Sequence, residues 1–247
     1  MVNTQEDIYK FHCQNLKAVI ASYNNIERDL KQSLRRNDVH SIQLLKHYEL
    51  YLLFLSGAYI ENMYFKLVYE PNFTQNDRDY TKVHSKQPLN QKWKILLEYG
   101  FRKAYGIRDN FNLQLKLKFT PRKYYNELFN FIDKELNTII TIRNKVAHGQ
   151  FIHTFNSDRT ALNENTQSLL DAQNLFTIRM RIEKFKVISS VIHDLVISPR
   201  TFIRDFDNYY EKYERVTNNC SLEKYDEFLS EIRKRYNNRT SILSNTI

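Results

Sequence analysis

Four glycines and four prolines are spread over 247 residues. That scarcity constrains the fold more than any other feature, because turns need residues that tolerate positive φ or that break a helix, and a chain with few of them folds as long helices. The apolar residues confirm the period. Ile8, Phe11, Val19, Tyr23, Ile26, Leu30 and Leu34 recur at three-and-four spacing, as do Ile42, Leu45, Tyr48, Leu52, Leu55, Tyr59, Met63 and Leu67. These runs predict helices over 7–36 and 41–69, with Pro71 ending the second. The stretch Leu50 to Leu55 is apolar nearly all round, which marks a central buried helix.

Further along, 70–88 reads as a polar loop, with His84 isolated in it. A helix over 89–105 carries Trp93 as a core or interface residue and closes at Gly106. From Leu113 to Phe119 apolar residues alternate with Gln114, Lys116 and Lys118, the period of a short strand whose basic face would suit phosphate. Thr120-Pro121 has the form of a hydroxyl cap followed by a first-turn proline, so the next helix runs from about 121 to 148. A loop over 153–165 contains His153. A helical extension covers about 171–236: a helix over 171–197 bearing His193, then shorter ones over 201–215 and 222–236. In 201–215, Phe202, Phe206, Tyr209, Tyr210 and Tyr213 interleave with Arg204, Lys212 and Arg215, which fits a packing helix or a base-stacking surface. His12 lies beside an apolar stripe and reads as a packing residue, and His193, among apolar residues, as a satisfied core or rim histidine. The chain reads as a single all-α domain over 1–247.

The formal charge of +9 at pH 7 suits a polyanionic partner such as RNA, and equally a lysine-rich solvated surface. Cys13 and Cys220 sit in no metal-ligand spacing and form no disulfide framework. The apolar runs are too short for a spanning helix, and no basic-then-apolar leader opens the chain, so a cytoplasmic location is expected and no membrane partner.

The helix over 121–148 ends in Thr-Ile-Arg-Asn-Lys-Val-Ala-His-Gly. Asn144 and His148 are four apart and share a face, whereas Arg143 and His148 are five apart, about 140° around the axis. Gly149 is placed as a left-handed cap. Bare Arg-x4-His spacing is a weak signal; it also occurs at Arg35 and His40, but there in a polar junction with no apolar run leading in. Arg143 to His148 follows Leu128, Ile132, Leu136, Ile139 and Ile140 and has the intervening Asn and the following Gly.

Arg-Asn-x-x-x-His-Gly at the end of a long apolar helix resembles the signature of the HEPN superfamily, whose domains are all-α bundles and of which many are metal-independent endoribonucleases. The resemblance follows helix order over most of the chain, the segment around Trp93 included, but its specific residues lie in 143–149. It implies an HEPN-like bundle with long N-terminal helices and added C-terminal ones, working as a homodimer with a composite active site. It gives Arg143 the scissile phosphate, His148 general acid–base duty during attack by the RNA 2′-OH, and Asn144 the orientation of either. Glu61 would hold Arg143 or His148; a surface carboxylate paired with Lys66 is the other reading, and both stay open. No metal and no cofactor are expected. A toxin or antiphage-defence role follows from the resemblance alone, with an antitoxin or regulatory protein as a further partner. Some toxin members carry a modifiable Tyr two residues after the motif His; here that place is Gln150. The rival reading is a non-catalytic helical module that binds RNA or a protein partner. A DNA-binding regulator is weaker, since no helix-turn-helix spacing stands out.

Overall fold

A computed structural model of the chain describes residues 4–36, 39–81 and 86–244, the side chains at 39, 42, 43, 222 and 236–244 excepted. Among these residues the chain is all-α: α1 (Gln5–Arg36), α2 (Val39–Val68), α3 (Gln75–Tyr80), α4 (Leu89–Tyr105), α5 (Leu113–Lys116), α6 (Phe119–Ala147), α7 (Glu164–Asp171), α8 (Leu175–Ile197), α9 (Pro199–Arg204), α10 (Phe206–Asn219) and α11 (Leu222–Ser244). The one β feature among them is an isolated bridge between Phe155 and Leu162. No helix among them is long and apolar enough to cross a membrane.

The two longest helices, α1 and α2, pack along each other, and α2 and α4 each pack against both α6 and α8. The centre is apolar on every side: α8 buries Ile178, Ile182, Phe185, Ile188, Val191, Ile192 and Leu195, and α6 buries Leu128, Ile132, Leu136, Ile139 and Ile142. Each such side chain contributes about 1.5–3 kcal/mol when fully removed from water. Trp93 is fully buried, its ring 5.6 Å from Tyr64 and 5.5 Å from Phe185, which makes it core. One contiguous apolar cluster runs from α1 to α11. His12 packs as expected, stacked 5.1 Å from Phe65 and 5.4 Å from Tyr69, and burial lowers its pKa.

Several expectations are corrected. The alternating stretch at Leu113 is a single helical turn, α5: Asn112 caps it by accepting from the Leu115 N–H, while Leu113 and Leu117, four apart, turn inward together. Period-two and i, i+4 patterns both place these two leucines on one side, so the alternation alone did not discriminate. The polar segment after Pro71 contains α3, started by a reciprocal cap between Thr74 and Asp77; His84 lies outside the described residues. α6 begins at Phe119, not after Thr120. Its cap residue is Lys118 with no side-chain cap, and Pro121 sits in the first turn, where its missing N–H has no intrahelical role. The helix expected from 171 starts at Leu175 behind an Asn174–Thr177 capping box, and α7 precedes it. The aromatic segment over 201–215 is divided between α9 and α10. Phe202 and Tyr213 are buried and Phe206 and Tyr210 pack on Tyr124, so its rings are core.

Candidate active site

The motif side chains stand where α6 reaches the end of the core. Ile139, Ile142 and Val146 face inward, which turns Asn144, Ala147 and His148 to solvent and leaves Arg143 at the rim. Arg143 lies across Gly57 of α2. A Cβ at Gly57 would stand 3.2 Å from Arg143 Cδ and 3.3 Å from Ile139 Cγ2, so the missing side chain is what lets the arginine stem pass between the helices. One turn beyond Gly57, Glu61 Oε2 lies 3.7 Å from Arg143 Nη1. Both groups are partly exposed, so the pair orients the guanidinium more than it stabilises the fold; such pairs contribute about 0–1 kcal/mol.

The end of α6 is a complete Schellman motif. Gly149 adopts φ 77°, its N–H donates to Val146 O at 3.0 Å, and the Gln150 N–H donates to Lys145 O at 2.9 Å. His148 is the C-cap, its N–H shared between Asn144 O and Lys145 O. Both the Asn144 and His148 side chains are exposed, and no hydrogen bond joins His148 to Arg143 among the described residues. The structure therefore brings together Arg143 and Glu61, and sets Asn144 and His148, four apart, on an exposed face of the last turns of α6 with the imidazole open to solvent.

The chain after Gly149 folds back. The Gln150 side-chain oxygen accepts from the Phe155 N–H at 2.8 Å, and Lys145 Nζ donates to Phe155 O. Gln167 accepts from the Thr154 N–H and donates to Ile152 O. This seats Phe151 edge-on against Tyr51, 5.9 Å away, and His47, 6.3 Å away. Gln150 is thus a loop-tying residue.

Tyr51 is 45% and Phe54 39% exposed. That corrects the reading of α2 as buried nearly all round: Leu50, Leu52 and Leu53 are buried, but His47, Tyr51, Phe54 and Glu61 form an open stripe at helical spacing whose last member meets Arg143. Sequence reasoning missed Gly57 and this stripe. The spacing 47, 51, 54, 58, 61 was a usable signal, hidden because two of its members are aromatic.

The second Arg-x4-His match is not a site of this kind. Arg35 lies in the last turn of α1 and His40 in the first turn of α2, both exposed, on two helices rather than one. His153 is exposed. His193 is held between Asp194, 2.8 Å away, and Glu70, 3.5 Å away. Among the described residues no group of three or more His, Cys, Asp or Glu is arranged to hold a metal ion. No family model, no curated protein and no solved structure matches the chain.

Proposed function

We propose that the chain is a metal-independent endoribonuclease of HEPN type, built on an HEPN-like bundle and acting as a homodimer in the cytoplasm, in a toxin or antiphage-defence setting. The observation that carries the reading is an arginine at the rim of α6, braced by Glu61 across Gly57, and, at the end of the same helix, a solvent-facing histidine that shares its face with an asparagine.

RNA supplies its own nucleophile. The 2′-oxygen attacks phosphorus, the 5′-oxygen leaves, and the products are a 2′,3′-cyclic phosphate and a 5′-hydroxyl. One proton must leave the 2′-OH and one must reach the 5′-oxygen. His148 performs one transfer and the second copy's His148 the other. Arg143 neutralises the extra negative charge on the phosphorane, and Asn144 orients the phosphate or the imidazole. The exposed Tyr51 and Phe54 supply apolar area for the second copy's approach.

The test is cleavage of end-labelled single-stranded RNA in EDTA by the wild type and by His148→Ala. Wild type is expected to leave cyclic-phosphate ends, and the variant to be slower by about 10²–10⁴-fold with RNA affinity unchanged. Equal rates would remove His148 from the mechanism. Absence of cleavage by the wild type on a broad RNA set would favour the non-catalytic module.

A further inference from the structure

A second surface lies at the opposite end of α6. Thr120 and Pro121 help to line a groove of about 520 Å³ between the α5–α6 junction and the α9–α10 segment. Arg143 is 23 positions further along the same helix, about 35 Å away at 1.5 Å per residue. Ile107, Ile203 and Phe206 give the groove apolar walls, and Lys116 and Lys118 stand over it. Ile203 in its wall is 53% exposed, and Leu115 and Phe119, next in sequence to the lining residues Lys116 and Lys118, are 76% and 75% exposed. Apolar side chains clustered at a concave surface mark an interaction site, whereas scattered ones do not.

The charges identify the occupant. Arg204 also lines the groove but is neutralised by Asp205, with contacts of 2.8 and 2.7 Å. Asp207 is the one acid in the lining. Lys116 rests 4.7 Å over the Phe111 ring, and neither Lys116 nor Lys118 forms an ion pair among the described residues. Two ammonium groups without an ion pair beside an open apolar trough complement a ligand that is both anionic and apolar. Of the aromatic rings here, Phe111 carries Lys116, and Tyr105 and Phe206 pack on Phe101 and Tyr124, which leaves Phe119 as the open ring beside the groove and gives successive nucleobases no run of stacking faces. The apolar walls line a recess, which disfavours a lipid surface.

We infer that this groove docks an acidic amphipathic segment of a partner protein, its large apolar side chains seated between Ile107, Ile203 and Phe206 and its carboxylates on Lys116 and Lys118. Bulky apolar anchors would supply the affinity, and the carboxylates the register and discrimination between partners. The site is remote from Arg143 and His148 and does not depend on the nuclease reading.

The experiment selects displayed random peptides on the full chain, then measures the enriched peptides by fluorescence anisotropy against wild type, Ile203→Asp and Lys118→Glu. Both positions are solvent-exposed, and circular dichroism checks that each variant folds. Enriched peptides are expected to interleave Asp or Glu with Leu, Ile or Phe, and to bind each variant about tenfold or more weakly. A Lys-for-Glu peptide should regain affinity for Lys118→Glu. The inference is overturned if no such pattern is enriched, or if the peptides bind both variants as tightly as wild type. It is equally overturned if single-stranded RNA or phosphatidylserine vesicles, and not peptides, lose binding in the variants. RNA cleavage is not the readout, so this result and the nuclease result fail separately.

Discussion

At the scale of single residues, the position that matters most beside the motif is one with no side chain. Gly57 is helical and buried, and a helical glycine costs about 0.5–1 kcal/mol relative to alanine. Its compensation is the passage of Arg143 toward Glu61. Gly57→Ala returns that backbone stability but places a methyl group 3.2 Å from Arg143 Cδ. The two effects oppose each other in stability and not in function. If the proposed nuclease function holds, the expected outcome is a melting temperature close to wild type with RNA cleavage reduced by about 10- to 100-fold, since a shift of about 1 Å in a positioning group has that effect. A variant that cleaves as well as wild type would show that the Arg143 path is not under constraint.

At the scale of elements, α6 is held to α8 by a buried polar clamp. Arg181 Nε donates to Glu135, and its Nη1 donates to Gln173. Both charged side chains are about nine-tenths buried. Removing one partner strands the other in a dry environment, so Glu135→Ala is expected to cost about 3–5 kcal/mol, a fall of roughly 10 °C in melting temperature for a chain of this size. Replacing both as Glu135→Leu and Arg181→Met should recover most of that loss. Thermal denaturation of the three proteins checks it; a double variant no better than the single one would point to the hydrogen bonds rather than the stranded charge. The clamp illustrates what periodicity leaves out. Glu135 and Arg181 each fall among apolar neighbours as ordinary charged residues, and only the approach of two helices makes them a pair. The limits of α4 were legible because Leu89 to Tyr105 is periodic and Gly106 ends it. α3 and α5 were not, because a helix of one or two turns has too few residues to show a period and depends on caps such as Thr74 and Asn112.

At the scale of the whole molecule, Glu49 joins three helices. It is buried on α2, accepts from the Leu175 N–H at the start of α8 and meets the Tyr225 hydroxyl of α11. Burial pushes its pKa up to about 7, against the opposing pull of Lys46 and the two hydrogen bonds. A carboxyl group whose folded pKa lies above its unfolded value binds protons more tightly when folded. Its contribution is therefore fully present below the unfolded value of 4.5 and is lost as pH rises to about 7. The total is about 3 kcal/mol at 1.36 kcal/mol per pKa unit. Glu49→Gln is expected to flatten the fall in melting temperature between these pH values and to exceed wild type in stability at pH 8. Identical pH profiles for the two proteins would show that the carboxyl group stays solvated.

The all-α class, the long helices and the motif at the end of α6 were determined by the sequence alone, because each rests on local rules: helical period, scarcity of breakers, and a glycine that can take a left-handed cap. The tertiary structure decided the rest. It alone placed Glu61 on Arg143, opened the Tyr51 and Phe54 face, and brought Lys116 and Lys118 to the same groove as Ile203. These are contacts between residues far apart in the chain, and a one-dimensional pattern records which face of a helix is apolar but not which other helix, or whether any, comes to cover it.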